Sequence, residues 1–298
     1  MTAKLIDGKK IAEQILAEVV AEVKDLKTKG VTPGLAAVLI GDNPASEVYV
    51  RNKTRTCGEV GIFSETIRLP KEASEKEALA LVAKLNTDAR FHGILVQLPL
   101  PKQINEAKVI MAVSPEKDVD GFHPVSLGRL VMGEPGFMPC TPAGIQQLLV
   151  RSGYTPEGKH VVILGRSNIV GKPAAIILMQ KKTGANATVT ICHTKTRNLP
   201  IITRMADILI VAAGSPKAVT DDMVREGAVV IDVGMNRIPD ATTKTGTRLV
   251  GDVDFEPVKK KAEAITPVPG GVGPMTIAML LSNTVRSARM AAQTAAAR

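Results

Sequence analysis

VVILGRSNIVGKPAAIILM, residues 161–179, joins an apolar run to a helix-forming run through a short polar turn. The apolar run ends at Gly165, and the helix begins near Gly171-Lys172-Pro173. A helix N-terminus presents unpaired N–H groups and a partial positive charge, which suits a phosphate. The glycines permit close backbone approach and tight packing of helix on strand. The pattern departs from GxGxxG, because Ser167 stands where a second glycine would sit. Between a strand and a helix it still points to a dinucleotide. NAD-binding folds commonly carry an acid about 20 residues further on, at the end of the second strand, against the ribose hydroxyl. Here that strand ends in Cys192-His193-Thr194-Lys195, with no acid, and Arg166 lies inside the turn. A cationic, acid-free site accommodates a 2′-phosphate, so NADP is the expected cofactor.

On either side of this turn the chain alternates strand and helix. Apolar positions Ile11, Ile15, Val19, Val23 and Leu26 predict a helix over residues 8–29. GLAAVLIG (34–41) reads as a buried strand, 44–60 as a helix, IFSETIRLP (62–70) as a strand, 74–89 as a helix and FHGILVQLPLP (91–101) as a strand. Order weakens from 102 to 140; then Thr141-Pro142 reads as an N-cap followed by proline at the first helical position. Strand candidates 159–165, 187–193, 206–214, 228–236 and 264–270 follow, and 274–294 reads as a long final helix. Apolar strands alternating with helices imply parallel sheets covered on both faces, an α/β fold.

The chain has 298 residues, a length that usually divides into about two domains. With 45% hydrophobic residues it is not a disordered chain. Cys57, Cys140 and Cys192 are scattered and odd in number, which fits a reducing compartment without a disulfide framework. The N-terminus lacks a signal-peptide apolar core, and no apolar run is long enough to span a membrane. A cytoplasmic protein without membrane partners is expected. The net charge of +9 raises nucleic acid as a partner, but aromatic residues are only 2%, and stacking on bases needs them. Small anionic ligands account for the charge equally well.

Two further segments carry candidate chemistry. In YVRNK, Tyr49 and Lys53 are four apart and share a helix face. An aromatic ring beside a cation suits a flat polar substrate. Gln97 ends an apolar strand just before Pro99, and would emerge at the sheet edge where open α/β sheets bind ligands. PEKDVDGFHP offers Asp118 and Asp120. Paired carboxylates suit a metal, although no third ligand is evident; a contact to a guanidine-like edge is the other reading. PVPGGVGPMT (267–276) combines glycines that admit a ligand with prolines that stiffen the loop.

YVRNK, GILVQLPLP, PEKDVDGFHP, PCTPAGI, GRSNIVGKP, GDVDF and PVPGGVGPMT occur in this order across nearly the whole chain. Together they resemble the bifunctional methylenetetrahydrofolate dehydrogenase/cyclohydrolase family of one-carbon metabolism. The resemblance implies oxidation of 5,10-methylenetetrahydrofolate to the 5,10-methenyl form with NADP, then hydrolysis to 10-formyltetrahydrofolate, a link to purine biosynthesis. It implies a homodimer and an active site in the cleft between two α/β domains. These would be a folate-binding domain over 1–140, a Rossmann-like NADP-binding domain over 141–273, and a final helix 274–298 packing back on the first. Carried over, Tyr49 stacks on the folate, Lys53 is catalytic, Gln97 positions that lysine and Asp120 binds the pterin ring. Val96 and Leu98 flank the folate, and Pro269, Gly270, Gly271, Val272 and Gly273 form a folate-side loop. Gly165, Arg166 and Ser167 contact NADP, as do Thr194 and Met235; at Thr194 this chain has CHT where relatives often have CHS. No metal is required, because hydride transfer belongs to the cofactor. A relative with one activity, and a non-catalytic basic nucleotide- or nucleic-acid-binding module, are the alternatives. Presence of both Lys53 and the GRS triplet favours two activities.

Overall fold

The structure, a computed structural model, describes residues 2–243 and 246–296. In chain order the first elements are β1 (Lys4–Leu5), α1 (Gly8–Thr28), β2 (Gly34–Ile40), α2 (Pro44–Val60), β3 (Phe63–Leu69), α3 (Glu75–Thr87) and β4 (Gly93–Val96). Then come α4 (Glu106–Ala112), α5 (Pro124–Met132), α6 (Cys140–Arg151), β5 (His160–Leu164), α7 (Gly171–Met179), β6 (Thr188–Cys192), α8 (Leu199–Thr203) and β7 (Ile208–Val211). The last are β8 (Val229–Asp232), β9 (Asn236–Pro239), β10 (Thr247–Val250), α9 (Phe255–Lys259), β11 (Ala264–Ile265) and α10 (Val272–Ala296).

The chain forms two compact units. One comprises residues 13–140 and 277–298, the other 1–12 and 141–276. The sequence places residues 1–12 with the first domain; in the structure Lys4 and Leu5 extend the second sheet, pairing with Ala264 and Ile265 of β11.

In the unit of residues 13–140 and 277–298, a three-stranded parallel sheet has the order β3-β2-β4. Every residue of β2 is buried, as expected of a central parallel strand. Because β3 and β4 lie on opposite sides of β2, the chain reverses its direction of winding after β3 and crosses back over β2. This creates a switch point at the carboxyl edge, where open α/β sheets hold ligands. Ile94 and Val96 of β4 pack with Phe91, Val82, Leu85 and Val109 in one apolar core.

In the other unit six parallel strands have the order β1-β11-β8-β7-β5-β6. The first strand of the nucleotide-binding turn, β5, lies between β6 and β7, so its carboxyl end is also a switch point. Val162, Leu164, Leu209, Val211, Val230 and Ile265 build its core.

Differences from the sequence reading are local. The weakly ordered 102–140 segment contains α4, capped by Asn105, and α5, capped by the His123 ring. Thr141 is not an N-cap: α6 begins at Cys140, and the Thr141 hydroxyl meets that of Thr276 at 3.0 Å. The predicted strand 228–236 breaks after Asp232, and β9 turns away to pair antiparallel with β10.

Phe91 is fully buried and stacks on Phe63, ring centroids 5.7 Å apart. Phe91→Ala should cost about 3–5 kcal/mol of unfolding free energy, read by urea denaturation.

Candidate active site

Helix α2 begins where the Asn43 carboxamide accepts the Ser46 N–H at 3.2 Å. Its buried stripe is Ser46, Val50, Lys53, Cys57 and Val60, spaced as one helical face requires. Lys53 thus occupies a position that packing would give to an apolar side chain. It is 7% exposed. Lysines are almost never so buried unless partnered. Its Nζ donates to Gln97 Oε1 at 3.1 Å. Gln97 is held at the end of β4 by its own N–H on the Val38 carbonyl (2.9 Å), while its Nε2 donates to the Leu98 carbonyl at 2.8 Å. The carboxamide oxygen is therefore directed at the amine.

Asp120 is the acidic counterpart. Burial pushes its carboxyl up, and the charge of Lys53 and a hydrogen bond with the Cys140 thiol oppose that shift. Asp118, two residues earlier, does different work. Its Oδ2 accepts the Ser126 hydroxyl at 2.6 Å and the His123 N–H at 2.9 Å, and its Oδ1 accepts the Phe122 N–H at 3.2 Å. Asp118 ties the loop to α5. Asp120 has no comparable set of donors among the described residues. Among the described residues no group of three or more His, Cys, Asp or Glu could hold a metal.

Tyr49 lies one turn before Lys53 and is 37% exposed, with ring surface open to solvent. Val96 and Leu98 pack in or against the core of this unit, so alternation along the strand directs their side chains away from the face of Gln97. Cys57 is buried, and burial pushes its thiol up to about 12, so it is a packing residue. Cys140 was not singled out by the sequence; PCTP, so close to a run of carboxylates, was the available signal.

The nucleotide turn is built by close backbone contact. Gly165 has φ +137°, and a Cβ there would lie 2.3 Å from the Ala212 carbonyl oxygen. A Cβ on Gly171, at the start of α7, would lie 2.1 Å from the Gly165 oxygen. Both positions must be glycine for helix and strand to meet. Ser167 Oγ accepts the N–H groups of Val170 at 3.1 Å and Gly171 at 3.4 Å, and Arg166 and Ser167 are exposed. Thr194 is exposed beyond β6, on a loop held by Thr196 Oγ1 accepting the His193 N–H and by His193 Nδ1 accepting the Lys195 N–H. Met235 is half exposed beyond β8. The Gly165 turn, Thr194 and Met235 therefore line one carboxyl edge.

GDVDF anchors this edge. Buried Asp232 accepts N–H groups of Gly234, Asp252 and Val253, and burial pushes its carboxyl up to about 6. Asp252 accepts the Gly214 N–H at 2.7 Å and the Asn236 amide at 2.8 Å. Residues Pro269 to Gly273 follow β11 in the same unit as Gly165, not the unit of Lys53. Gly8 packs on that loop so closely that a Cβ there would lie 1.8 Å from the Gly271 oxygen. Gly273 faces Met235, whose terminal carbon would be 3.0 Å from a Cβ at 273.

Models of the tetrahydrofolate dehydrogenase/cyclohydrolase catalytic domain and NAD(P)-binding domain match residues 6–120 and 139–292. The chain belongs to the tetrahydrofolate dehydrogenase/cyclohydrolase family. Within it, the bifunctional protein FolD of Dehalococcoides mccartyi strain CBDB1 is 60% identical over 293 residues, 98% of each chain. The crystal structure of the bifunctional FolD of Campylobacter jejuni is 49% identical with TM-score 0.91, covering 97% of this chain and 99% of that one. The Trypanosoma brucei dehydrogenase-cyclohydrolase, solved with NADP cofactor and inhibitor, is 38% identical with TM-score 0.92, covering 98% and 99%.

In this family member, burial pushes the Asp118 carboxyl up from 3.8 to about 6. The folded chain binds that proton more tightly than the unfolded one. Its contribution is complete below 3.8 and is lost as the pH rises through about 6. Asp118→Asn removes this linkage. The parent should gain roughly 2 kcal/mol over the variant between about pH 7 and pH 4, measured by urea unfolding at both values.

Proposed function

We propose that the chain oxidises 5,10-methylenetetrahydrofolate with NADP and hydrolyses the 5,10-methenyl product to 10-formyltetrahydrofolate. The observation that carries this reading is the buried Lys53 amine, aimed by Gln97 and balanced by Asp120. NADP supplies the hydride acceptor, so no side chain has to carry the hydride. The residues at the β5 turn fit such a cofactor. Gly165 and Gly171 leave backbone open to a pyrophosphate, Arg166 offers a cation to a 2′-phosphate, and β6 ends without an acid.

Hydrolysis requires water to add to a cationic methenyl carbon and a ring amine to leave. Both steps move protons, and a positioned acid/base assists them. Lys53 Nζ takes and returns that proton. Gln97 fixes its direction without adding charge. Asp120 accepts two N–H groups from the amino-pyrimidine edge of the pterin, and Tyr49 stacks on the ring. Backbone at Val96 and Leu98 borders the folate, and Pro269 to Gly273 give it a loop whose glycines admit close approach. Gly165, Arg166, Ser167, Thr194 and Met235 hold NADP. Presence of both the lysine and the cofactor turn supports two activities rather than one.

The same reading makes the protein a cytoplasmic homodimer that supplies one-carbon units to purine biosynthesis, with folates rather than nucleic acids as partners. Three buried free thiols support a reducing compartment. Scarcity of aromatic residues argues against base stacking. Among the described residues no helix is long and apolar enough to cross a membrane.

Methylenetetrahydrofolate with NADP should give NADPH absorbance, with a methenyl band that rises and then decays. Lys53→Met should lower the cyclohydrolase rate about 10²–10⁴-fold while NADP affinity is kept. An unchanged cyclohydrolase rate would remove Lys53 from the mechanism. Arg166→Ala should raise KM for NADP about tenfold, with much less effect on KM for NAD. Steady-state kinetics with each cofactor decides it; equal changes mean that Arg166 does not read the 2′-phosphate.

A further inference from the structure

We propose that Asn283 is a positioning residue for Asp120, acting with Ser287 as a two-point clamp from α10 on the segment that carries the carboxylate. The inference rests on the reading of Asp120 as a pterin ligand.

Asn283 and Ser287 are four residues apart and project from one face of α10, in the same compact unit as Asp120. Both are buried. The Asn283 Nδ2 donates to the carbonyls of Val119 at 2.8 Å and Met138 at 3.1 Å, and reaches Cys140 Sγ at 3.7 Å. These three partners surround one residue. Val119 precedes Asp120 in the chain. The one proton of the Cys140 thiol is shared between the Val119 carbonyl, 3.3 Å from Sγ, and the Asp120 carboxyl. Met138 supports the turn after Asp120: Gly121 has φ +76°, and a Cβ there would lie 2.6 Å from the Met138 carbonyl carbon. The Ser287 hydroxyl lies 2.8 Å from the Glu116 carbonyl and 2.6 Å from that of His92. From the other side, the Ile94 N–H of β4 donates to the Lys117 carbonyl at 2.9 Å. The segment 116–119 is therefore gripped between the strand that ends at Gln97 and the last helix.

Asp120 is drawn by the charge of Lys53, so its direction needs an independent restraint. A carboxylate free to swing toward the amine would neutralise it and present the wrong edge to a pterin. Asn283 supplies the restraint through the carbonyl of Val119, just before Asp120, and through that of Met138, against which Gly121 packs. Truncating it removes the amide donor from the Met138 carbonyl, leaves the Val119 carbonyl only the weaker thiol of Cys140, and lets the carboxylate turn.

The test compares the full-length parent with Asn283→Ala and Ser287→Ala. KM for methylenetetrahydrofolate, KM for the methenyl substrate in the hydrolysis, KM for NADP and the melting temperature are measured for each. Asn283→Ala should raise both folate KM values about tenfold and leave that for NADP within about twofold. Ser287→Ala, at the outer grip, should raise the folate values about threefold and stands in should Asn283→Ala not fold. A loss of melting temperature with folate KM unchanged would reduce the amide to a structural role. An equal rise in KM for NADP would also overturn the proposal. A parent that makes no NADPH and hydrolyses no methenyl substrate defeats the functional reading itself, and the clamp's purpose with it.

Discussion

A cation removed from water in the apolar stripe of α2 is the constraint to which the folate side of the structure answers. Lys53 occupies a register position flanked along the helix by Val50 and Cys57. Burial of a lone ammonium costs several kcal/mol even after relaxation, so partners are required. They come from two segments far away in sequence. Gln97 arrives at the end of β4 and contributes a neutral acceptor; Asp120 arrives from the loop before α5 and contributes a charge. Neither alone would do. A carboxylate in direct contact would turn the amine into a static ion pair, whereas an amide alone would leave its charge unbalanced. The division orients the amine through a neutral acceptor and balances its charge through a carboxylate.

Both units solve the placement of a ligand in the same way, although their chemistry differs. Each has a parallel sheet in which the next two strands of the chain lie on opposite sides of one strand, β2 in one and β5 in the other. Backbone N–H groups and loops collect there because the neighbouring connections diverge. In the unit with Lys53 the edge is furnished with side chains. In the unit with Gly165 it is furnished mainly with backbone, which explains the steric severity of the glycines. Helix α7 comes within van der Waals reach of the Gly165 carbonyl only because Gly171 has no Cβ. The buried carboxylates Asp232 and Asp252 then hold the adjacent loops by accepting their N–H groups, which adds to the apolar packing at the ends of β7 and β8.

The readable part of the sequence was the part governed by periodicity. Buried parallel strands are continuous apolar runs, and GLAAVLI, VVIL and ILIV appear as such. Long amphipathic helices such as α1 were equally plain. What escaped was fixed by contacts distant in sequence or by short local caps. The two residues of β1 are a strand only because β11 is beside them. Helices α4 and α5 are seven and nine residues long, and each depends on a capping side chain, Asn105 or His123, more than on a pattern. The hairpin of β9 and β10 is polar and half exposed, without the alternation that marks a buried face. At the site, Tyr49, Lys53 and Gln97 were accessible from spacing and strand ends, and Lys53 also from its place in an apolar register. Asn283 was not: its partners are more than 140 residues away, and on α10 it reads as one more polar residue of a long helix.

The two aspartates of DVDG show why residue type and spacing fall short of assigning roles. Both are partly or wholly buried, and burial pushes both carboxyls up. The difference lies in what surrounds their oxygens. Asp118 has two N–H groups and a hydroxyl, enough to satisfy a carboxylate from within the protein. Asp120 has a thiol, a weak donor, and a charge that acts on it without a direct hydrogen bond. Its remaining lone pairs are what the proposed contact to the pterin edge would use. A substitution at Asp118 is therefore a matter of folding, whereas one at Asp120 removes the counter-charge of Lys53 and, on the proposed reading, the pterin contact. Because that first loss falls on the buried amine, the effects of changing Asp120 and Lys53 together should be smaller than their sum.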